Sequence, residues 1–167
     1  MDADAEAAFT DFVAARLPAL LRLGHLLTGR PADAEDLVQT ALVKTYGAWP
    51  RVQRQDAPEA YVRQVMLNTY RSWWRYRLSR EVVSESIPER LTSDPSTDER
   101  DAMWRALATL PKRQRAVLVL RYYEGLSEAE TAAALGCAVG SVKSQASRGL
   151  ARLRETSGLR EVAEERS

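Results

Sequence analysis

The chain has 167 residues, 45% hydrophobic and 28% charged, a balance that fits one or two small globular domains and excludes a disordered chain. No run of about 18 apolar residues exists, which excludes a membrane-spanning helix, and the first ten residues carry three acids and no base, the wrong sign for a secretory or transit peptide. One cysteine, Cys137, and one histidine, His25, exclude a disulfide framework and a zinc cluster. The expected compartment is the cytoplasm, with no cofactor and no membrane insertion.

The net charge of +1 hides an asymmetry. Residues 81–100 hold six acids against two arginines, whereas residues 101–154 hold nine bases against four acids. An acidic middle followed by a basic module suits a polyanionic partner for the basic part, and equally an unevenly charged solvated surface.

Helical periodicity dominates. Phe9, Phe12, Val13, Leu17, Leu20, Leu21, Leu23, Leu26 and Leu27 form an apolar stripe at three- and four-residue steps. Pro18 is expected to divide it, opening a second helix. Gly29-Arg30-Pro31 is a stop and a restart. The next helix carries Asp33, Glu35 and Asp36 in its opening turns, continues to about Trp49 and is expected to end at Pro50. A third runs from about Pro58 to Arg80, with pairs Tyr61/Val62, Val65/Met66, Thr69/Tyr70 and Trp73/Trp74. Their four-residue step advances about 40° per turn, so the stripe wraps around the axis and can bury one end while presenting the other.

Residues 81–100 lose this periodicity and mix Ser, Thr and Pro with acids, the composition of a linker. Helicity returns near Glu99, stops at Pro111, resumes through Val117, Leu118, Leu120 and Tyr122, and ends at Gly125. Ser127-Glu128-Ala129-Glu130 reads as a capping box opening a short helix that ends at Leu135-Gly136. A last helix spans about Val139 to Thr156. The expected fold is all-α: two small helical domains, 1–80 and 101–156, joined by the acidic linker 81–100 and followed by a charged tail, 157–167.

Three patterns suggest function. The short helix, the turn and the last helix form a helix-turn-helix, with Val142, Ala146, Leu150 and Leu153 facing inward. Ser141, Lys143, Ser144, Gln145, Ser147, Arg148 and Arg152 face outward and suit phosphate and base-edge contacts in a major groove. A helical hairpin with a polar face is the bland alternative. At the end of the third helix, Tyr70-Arg71-Ser72-Trp73-Trp74-Arg75-Tyr76-Arg77 interleaves aromatics with arginines. Such a run can stack on unpaired bases and track phosphates, or its tryptophans can be core anchors. Asp33, Glu35, Asp36 and Gln39 are either partners of the helix dipole or a polar docking face. No phosphate-binding Gly loop, nucleophile elbow or metal spacing is present, so no enzymatic activity is expected. His25 reads as structural or surface, and Cys137 as a small buried residue.

Together these residues resemble the extracytoplasmic-function (ECF) sigma factors of the sigma-70 family. Asp33-Ala34-Glu35-Asp36-Leu37-Val38-Gln39 with Tyr46 and Trp49 is similar to the start of their domain 2, and Tyr61-Val62-Arg63 through Asn68 to Arg75 to its promoter-melting helix. Leu110-Pro111, Arg113-Gln114-Arg115 and Leu120 to Ser127 resemble the start of domain 4, and Gly140-Ser141-Val142-Lys143-Ser144 with Arg148 its recognition helix. Asn68-Thr69-Tyr70, Ser72-Trp73-Trp74-Arg75 and Lys143 to Arg148 resemble the actinobacterial sigma-E-type subgroup. Leu67, Ser72 and Gln145 differ from the arginine, aspartate and arginine common in the family.

The resemblance implies a partner in core RNA polymerase, met at the beta-prime clamp helices by domain 2 (Asp33, Glu35, Asp36, Gln39) and at the beta flap by domain 4. It implies promoter DNA as the second partner, single- and double-stranded. The −10 element falls to Asn68, Arg71, Trp73, Trp74 and Arg75, with Tyr61 supporting the fold. The −35 element falls to Ser141, Lys143, Ser144, Gln145, Ser147, Arg148 and Arg152. An anti-sigma factor is a further partner that such proteins often have. A free-standing helix-turn-helix regulator, or a module that only binds a regulatory protein, are the alternatives on the residues alone.

Overall fold

The computed structural model of the chain describes residues 1–78 and 98–165, which belong to two compact units, Met1–Ile87 and Pro88–Ser167. Arg80 and all but residues 98–100 of the expected linker lie outside the described residues. Every regular element among the described residues is helical.

The first unit packs α1 (Ala3–Thr28), α2 (Pro31–Val52) and α3 (Pro58–Leu78). Asp2 caps α1, its Oδ1 accepting the Ala5 N–H at 2.8 Å. Gly29, at φ 75°, closes the helix by returning its N–H to the His25 carbonyl, and Pro31 then starts α2 in the first turn, where no amide proton is needed. The core is built from Leu20, Leu23 and Leu27 of α1, Leu37, Val38 and Ala41 of α2, and Val62 and Met66 of α3, all 1% exposed or less. Each such aliphatic side chain removed from water contributes about 1.5–3 kcal/mol before chain entropy is counted. A second cluster joins Ala5, Trp49 and Val52 to Phe9, Phe12 and Tyr61, with Phe9 edge-on to Trp49 at 5.2 Å. Tyr61 thus supports the fold.

Two polar ties fix α3. The Tyr70 hydroxyl donates to the Leu27 carbonyl at 3.1 Å, satisfying one of the acceptors that the end of α1 leaves open. The Glu59 carboxylate takes Arg16 of α1 at 3.3 Å and Arg63 of its own helix at 2.9 Å.

Both proline expectations are corrected. α1 is one continuous helix through Pro18, and α2 passes Pro50 to end at Val52. A proline deprives the carbonyl four residues earlier of its partner. Here those carbonyls belong to Ala14 and Tyr46, and both of these residues, like the prolines, are exposed, so water can replace the lost bond.

The second unit contains α4 (Asp98–Ala108), α5 (Lys112–Leu118), α6 (Glu128–Leu135) and α7 (Val139–Glu165). Every residue from Gln114 to Leu120 is buried, so this short segment is the unit's centre. After α5 the chain widens into a π-helical turn, Val119–Tyr123, which the sequence did not announce. The Glu124 N–H reaches the Val119 carbonyl at 3.0 Å, and Gly125, at φ 70°, ends the turn. Widening keeps Val119 and Leu120 buried while Tyr122 and Tyr123 emerge. The capping box is present as expected: Ser127 Oγ accepts the Glu130 N–H at 3.0 Å, and the Ser127 N–H donates to Glu130 Oε2 at 2.7 Å. α6 ends at Gly136, φ 66°.

α7 continues past its expected end at Thr156 to Glu165. Gly158 is a weak break on its own, and no proline follows to stop the helix.

Close helix contacts at glycine occur in both units. A Cβ at Gly24 would stand 3.2 Å from the Ala34 carbonyl oxygen and 3.3 Å from its Cα, backbone atoms that cannot rotate aside. Gly24→Val is therefore expected to separate α1 from α2 and destabilise the first unit by about 1–3 kcal/mol. Gly47→Ala, on an open helical surface with nothing within 4 Å, should stabilise it by about 0.5–1 kcal/mol. Tryptophan fluorescence during thermal unfolding checks both, since Trp49, Trp73 and Trp74 lie in this unit; equal melting temperatures would contradict the close crossing.

Candidate nucleic-acid interfaces

The outward face of α7 follows from what the helix buries. Val142 is fully buried with Val117 and Ala132, and Ala146 and Leu135 pack around them. Gly149 is buried too, where a Cβ would meet Leu118 Cδ1 at 2.9 Å. Leu150 and Leu153 are half-buried. At roughly 100° per residue, anchoring Val142 and Gly149 inward turns Ser144, Ser147 and Arg148 outward and Ser141 and Lys143 to the sides; all five are exposed, as is Arg152, which lies nearer the buried face. Gln145 falls between the two faces and is half-buried.

The exposed residues thus spread over two flanks with Ser144 between them, and Gln145 and Arg152 lie toward the buried edge. Lys143 and Ser147 lie on the α6 side, and Ser141, Gln145, Arg148 and Arg152 lie on the other. Ala151, which had no side-chain chemistry to single it out, is exposed near the centre of the same face; its small side chain permits close approach. On the α6 side, a cleft of about 310 Å³ is lined by Arg121, Glu128, Lys143, Ser147, Leu150 and Arg154, among others. Lys143 Nζ lies 3.7 Å from Glu128 Oε2. Arg121 donates to the Leu126 carbonyl and lies 5.7 Å from the centre of the Tyr122 ring, so it also braces the π-helical turn.

Cys137, expected to be buried, is exposed. Its N–H folds back to the Ala132 carbonyl at 3.0 Å, which holds the turn between α6 and α7 and leaves the thiol at the surface.

The C-terminal half of α3 behaves as its wrapping stripe predicts. Burial persists through Thr69 and Tyr70 and relaxes at Trp73 and Trp74, which are half-buried. Trp74 packs edge-on to Tyr70 at 5.5 Å. Its Nε1 is sealed from solvent with no hydrogen-bond partner among the described residues. Asn68, Ser72 and Arg75 are exposed along one ridge, with half-buried Arg71 beside them. Gln64 Nε2 donates to Asn68 Oδ1 at 3.0 Å and orients that amide. The arginines and Asn68 therefore share a surface that the two tryptophans only flank. Tyr76, 74% exposed, is the aromatic ring most open to a stacking partner here; it belonged to the aromatic–arginine run but was not among the expected site residues. Leu67 is buried and serves packing.

On α2, Glu35, Asp36 and Gln39 are exposed on one ridge, and half-buried Asp33 stands apart at the helix start. The ridge continues into Val43, 72% exposed, and Tyr46, 41% exposed. Periodicity alone could not mark Val43, since an apolar residue in a helix is expected inside. His25 lies near this ridge: burial lowers its pKa and the Glu35 charge partly offsets that, a balance that favours the neutral imidazole. Among the described residues no cluster of His, Cys, Asp and Glu could hold a metal ion, and no helix is long and apolar enough to cross a membrane.

Trp74→Ala is expected to destabilise the first unit by about 2 kcal/mol or more, because it removes the ring packed on Tyr70. Tyr76→Ala should stay within about 0.5 kcal/mol of the parent. Urea denaturation of both variants distinguishes anchor from surface; equal effects would contradict this division of the aromatic run.

Comparison with known proteins matches both units. Residues 12–80 match the model for sigma-70 region 2, and residues 100–153 match sigma-70 region 4. The chain is 45% identical over 149 residues to the RNA polymerase sigma-E factor of Streptomyces coelicolor, covering 88% of this chain and 84% of the relative. It is 35% identical over 171 residues to the ECF RNA polymerase sigma factor ShbA of Streptomyces griseus, covering 92% of this chain and 89% of that one. A solved structure of the sigma factor RpoE with the anti-sigma factor NepR from Bartonella quintana superposes with a TM-score of 0.61 at 31% identity, over 89% of this chain and 95% of that one. With two region models in order along one helical chain and relatives of this closeness over most of its length, the protein belongs to the extracytoplasmic-function sigma factors of the sigma-70 family.

Proposed function

We propose that this sigma factor joins core RNA polymerase in the cytoplasm and carries it to promoters by holding two DNA elements on two separate surfaces. The observation that carries this reading is the outward face of α7. There Ser141, Lys143, Ser144, Ser147, Arg148 and Arg152 are exposed together, with Ser144, Ser147 and Arg148 turned outward by the burial of Val142 and Gly149. A helix that offers hydroxyls and cations around a small central residue fits the major groove of a duplex −35 element. Gln145, half-buried at the edge, would favour adenine where arginine favours guanine.

The end of α3 takes the −10 element. Asn68, Arg71 and Arg75 meet backbone and base edges, while Tyr76 and the half-buried Trp73 and Trp74 supply ring faces for unstacked bases of the separated strand. The ridge of Glu35, Asp36 and Gln39, with Val43 and Tyr46 at its apolar end, fits a protein partner better than a nucleic acid, and we assign it to the beta-prime clamp helices, with Asp33 at its margin. The unit at 101–156 meets the beta flap. The acidic stretch 81–100 would mimic nucleic acid in a basic channel of the polymerase, and RNA synthesis itself remains the polymerase's chemistry. Because the RpoE structure holds an anti-sigma factor, a regulator of that kind is the partner we expect for the free protein.

The test is Arg148→Ala in reconstituted holoenzyme. Binding to a promoter duplex should fall by about 1–3 kcal/mol, with discrimination against −35 substitutions relaxed, while co-elution with core polymerase is unchanged. Equal loss of core and promoter binding, or undiminished −35 discrimination, would overturn the assignment of this face.

A further inference from the structure

Among the described residues Glu128 is the only acid lining the cleft beside α7, where Arg121, Lys143 and Arg154 supply the cations. It occupies the first position of α6, but the capping box of that helix is completed by Glu130 rather than by Glu128. Its carboxylate instead lies 3.7 Å from Lys143 Nζ, on the flank of α7 that points toward α6. The pair is solvated on both sides, so it adds little to folding. A surface that otherwise collects cations for a polyanion thus carries one carboxylate against one of those cations.

We propose that Glu128 is an internal competitor for DNA at Lys143: in the free protein it occupies the lysine as a phosphate would, and DNA must displace it to engage that flank. The inference rests on the assignment of α7 to the −35 element. A phosphate entering the cleft exchanges one anion for another at Lys143, so an arbitrary duplex gains little there. A cognate duplex gains in addition the contacts of Ser144 and Arg148 on the outward face. Glu128 therefore lowers affinity for all duplexes and keeps non-cognate binding weak, at the cost of some affinity for the promoter. Ser147 and Arg154, which line the same cleft, are placed to receive the phosphate that replaces the carboxylate.

The experiment is a double-mutant cycle of Glu128→Gln and Lys143→Ala in the full chain assembled with core polymerase. It measures affinity across a salt series for a cognate promoter duplex and for one with a scrambled −35 element. Glu128→Gln keeps the Ser127–Glu130 capping box, and its melting temperature should match the parent's. The variant is expected to bind both duplexes about 2- to 5-fold more tightly, the range of an exposed ion pair. Its salt dependence should steepen by up to about 0.9 in slope, because no displaced carboxylate takes up a cation against the one that the phosphate releases. In the Lys143→Ala background the same change should have no effect. An equal gain in that background would show a general effect of removing negative charge, and no gain in the parent would show no competition; either overturns the inference. If Lys143→Ala alone leaves binding to both duplexes unchanged, the assignment of this flank to DNA fails, and the inference with it.

Discussion

The close approach of α7 to the buried segment of α5 sets the orientation of everything the second unit presents. Val142 at zero exposure and Gly149 against Leu118 leave the helix one rotation about its own axis. A residue with a Cβ at 149 would push α7 outward, and a polar residue at 142 would lose both burial and register. With those positions fixed, the helical repeat alone turns Ser144, Ser147 and Arg148 to the opposite side. The first unit uses the same device at Gly24, where α1 and α2 meet at the Ala34 backbone. In each case a helix lacking a side chain at the crossing lets an exposed face be aimed by a buried one.

α3 shows how one periodic pattern divides its labour. Its apolar and aromatic pairs drift around the helix, so Val62, Met66 and Tyr70 belong to the core while Trp73 and Trp74 sit at its margin. The Tyr70 hydroxyl anchors the helix to the end of α1, just before this transition. Beyond it, Arg75 and Tyr76 are exposed. A surface built as the continuation of a core stripe is held at one end and open at the other, which would suit the proposed capture of strands that have just lost their partners.

Much of this was legible in the sequence because it depends on local rules. The capping box at Ser127 and Glu130, the glycine stops at Gly29, Gly125 and Gly136, and the polar face of α7 all follow from short-range patterns. The rest depends on surroundings that a sequence does not display. Pro18 and Pro50 are tolerated where the residues whose carbonyls they orphan, Ala14 and Tyr46, are exposed and water can replace the lost bond. Cys137 is exposed because its turn projects from the unit, although cysteine is usually buried. The π-helical turn reconciles buried Leu120 with exposed Tyr122, a demand visible only once α5 is seen to be surrounded. Val43 is exposed against its own hydrophobicity, and the Glu128–Lys143 pair joins two helices whose approach no local pattern encodes.

On polymerase, as proposed, these surfaces would act together, because tethering two modest DNA contacts raises their effective concentration. Run-off transcription with purified core RNA polymerase and a pool of genomic promoter fragments tests it most directly. Discrete transcripts should appear only when this protein is added, with shared −10 and −35 elements upstream of their start sites. Absence of both transcripts and co-elution with core polymerase would contradict it.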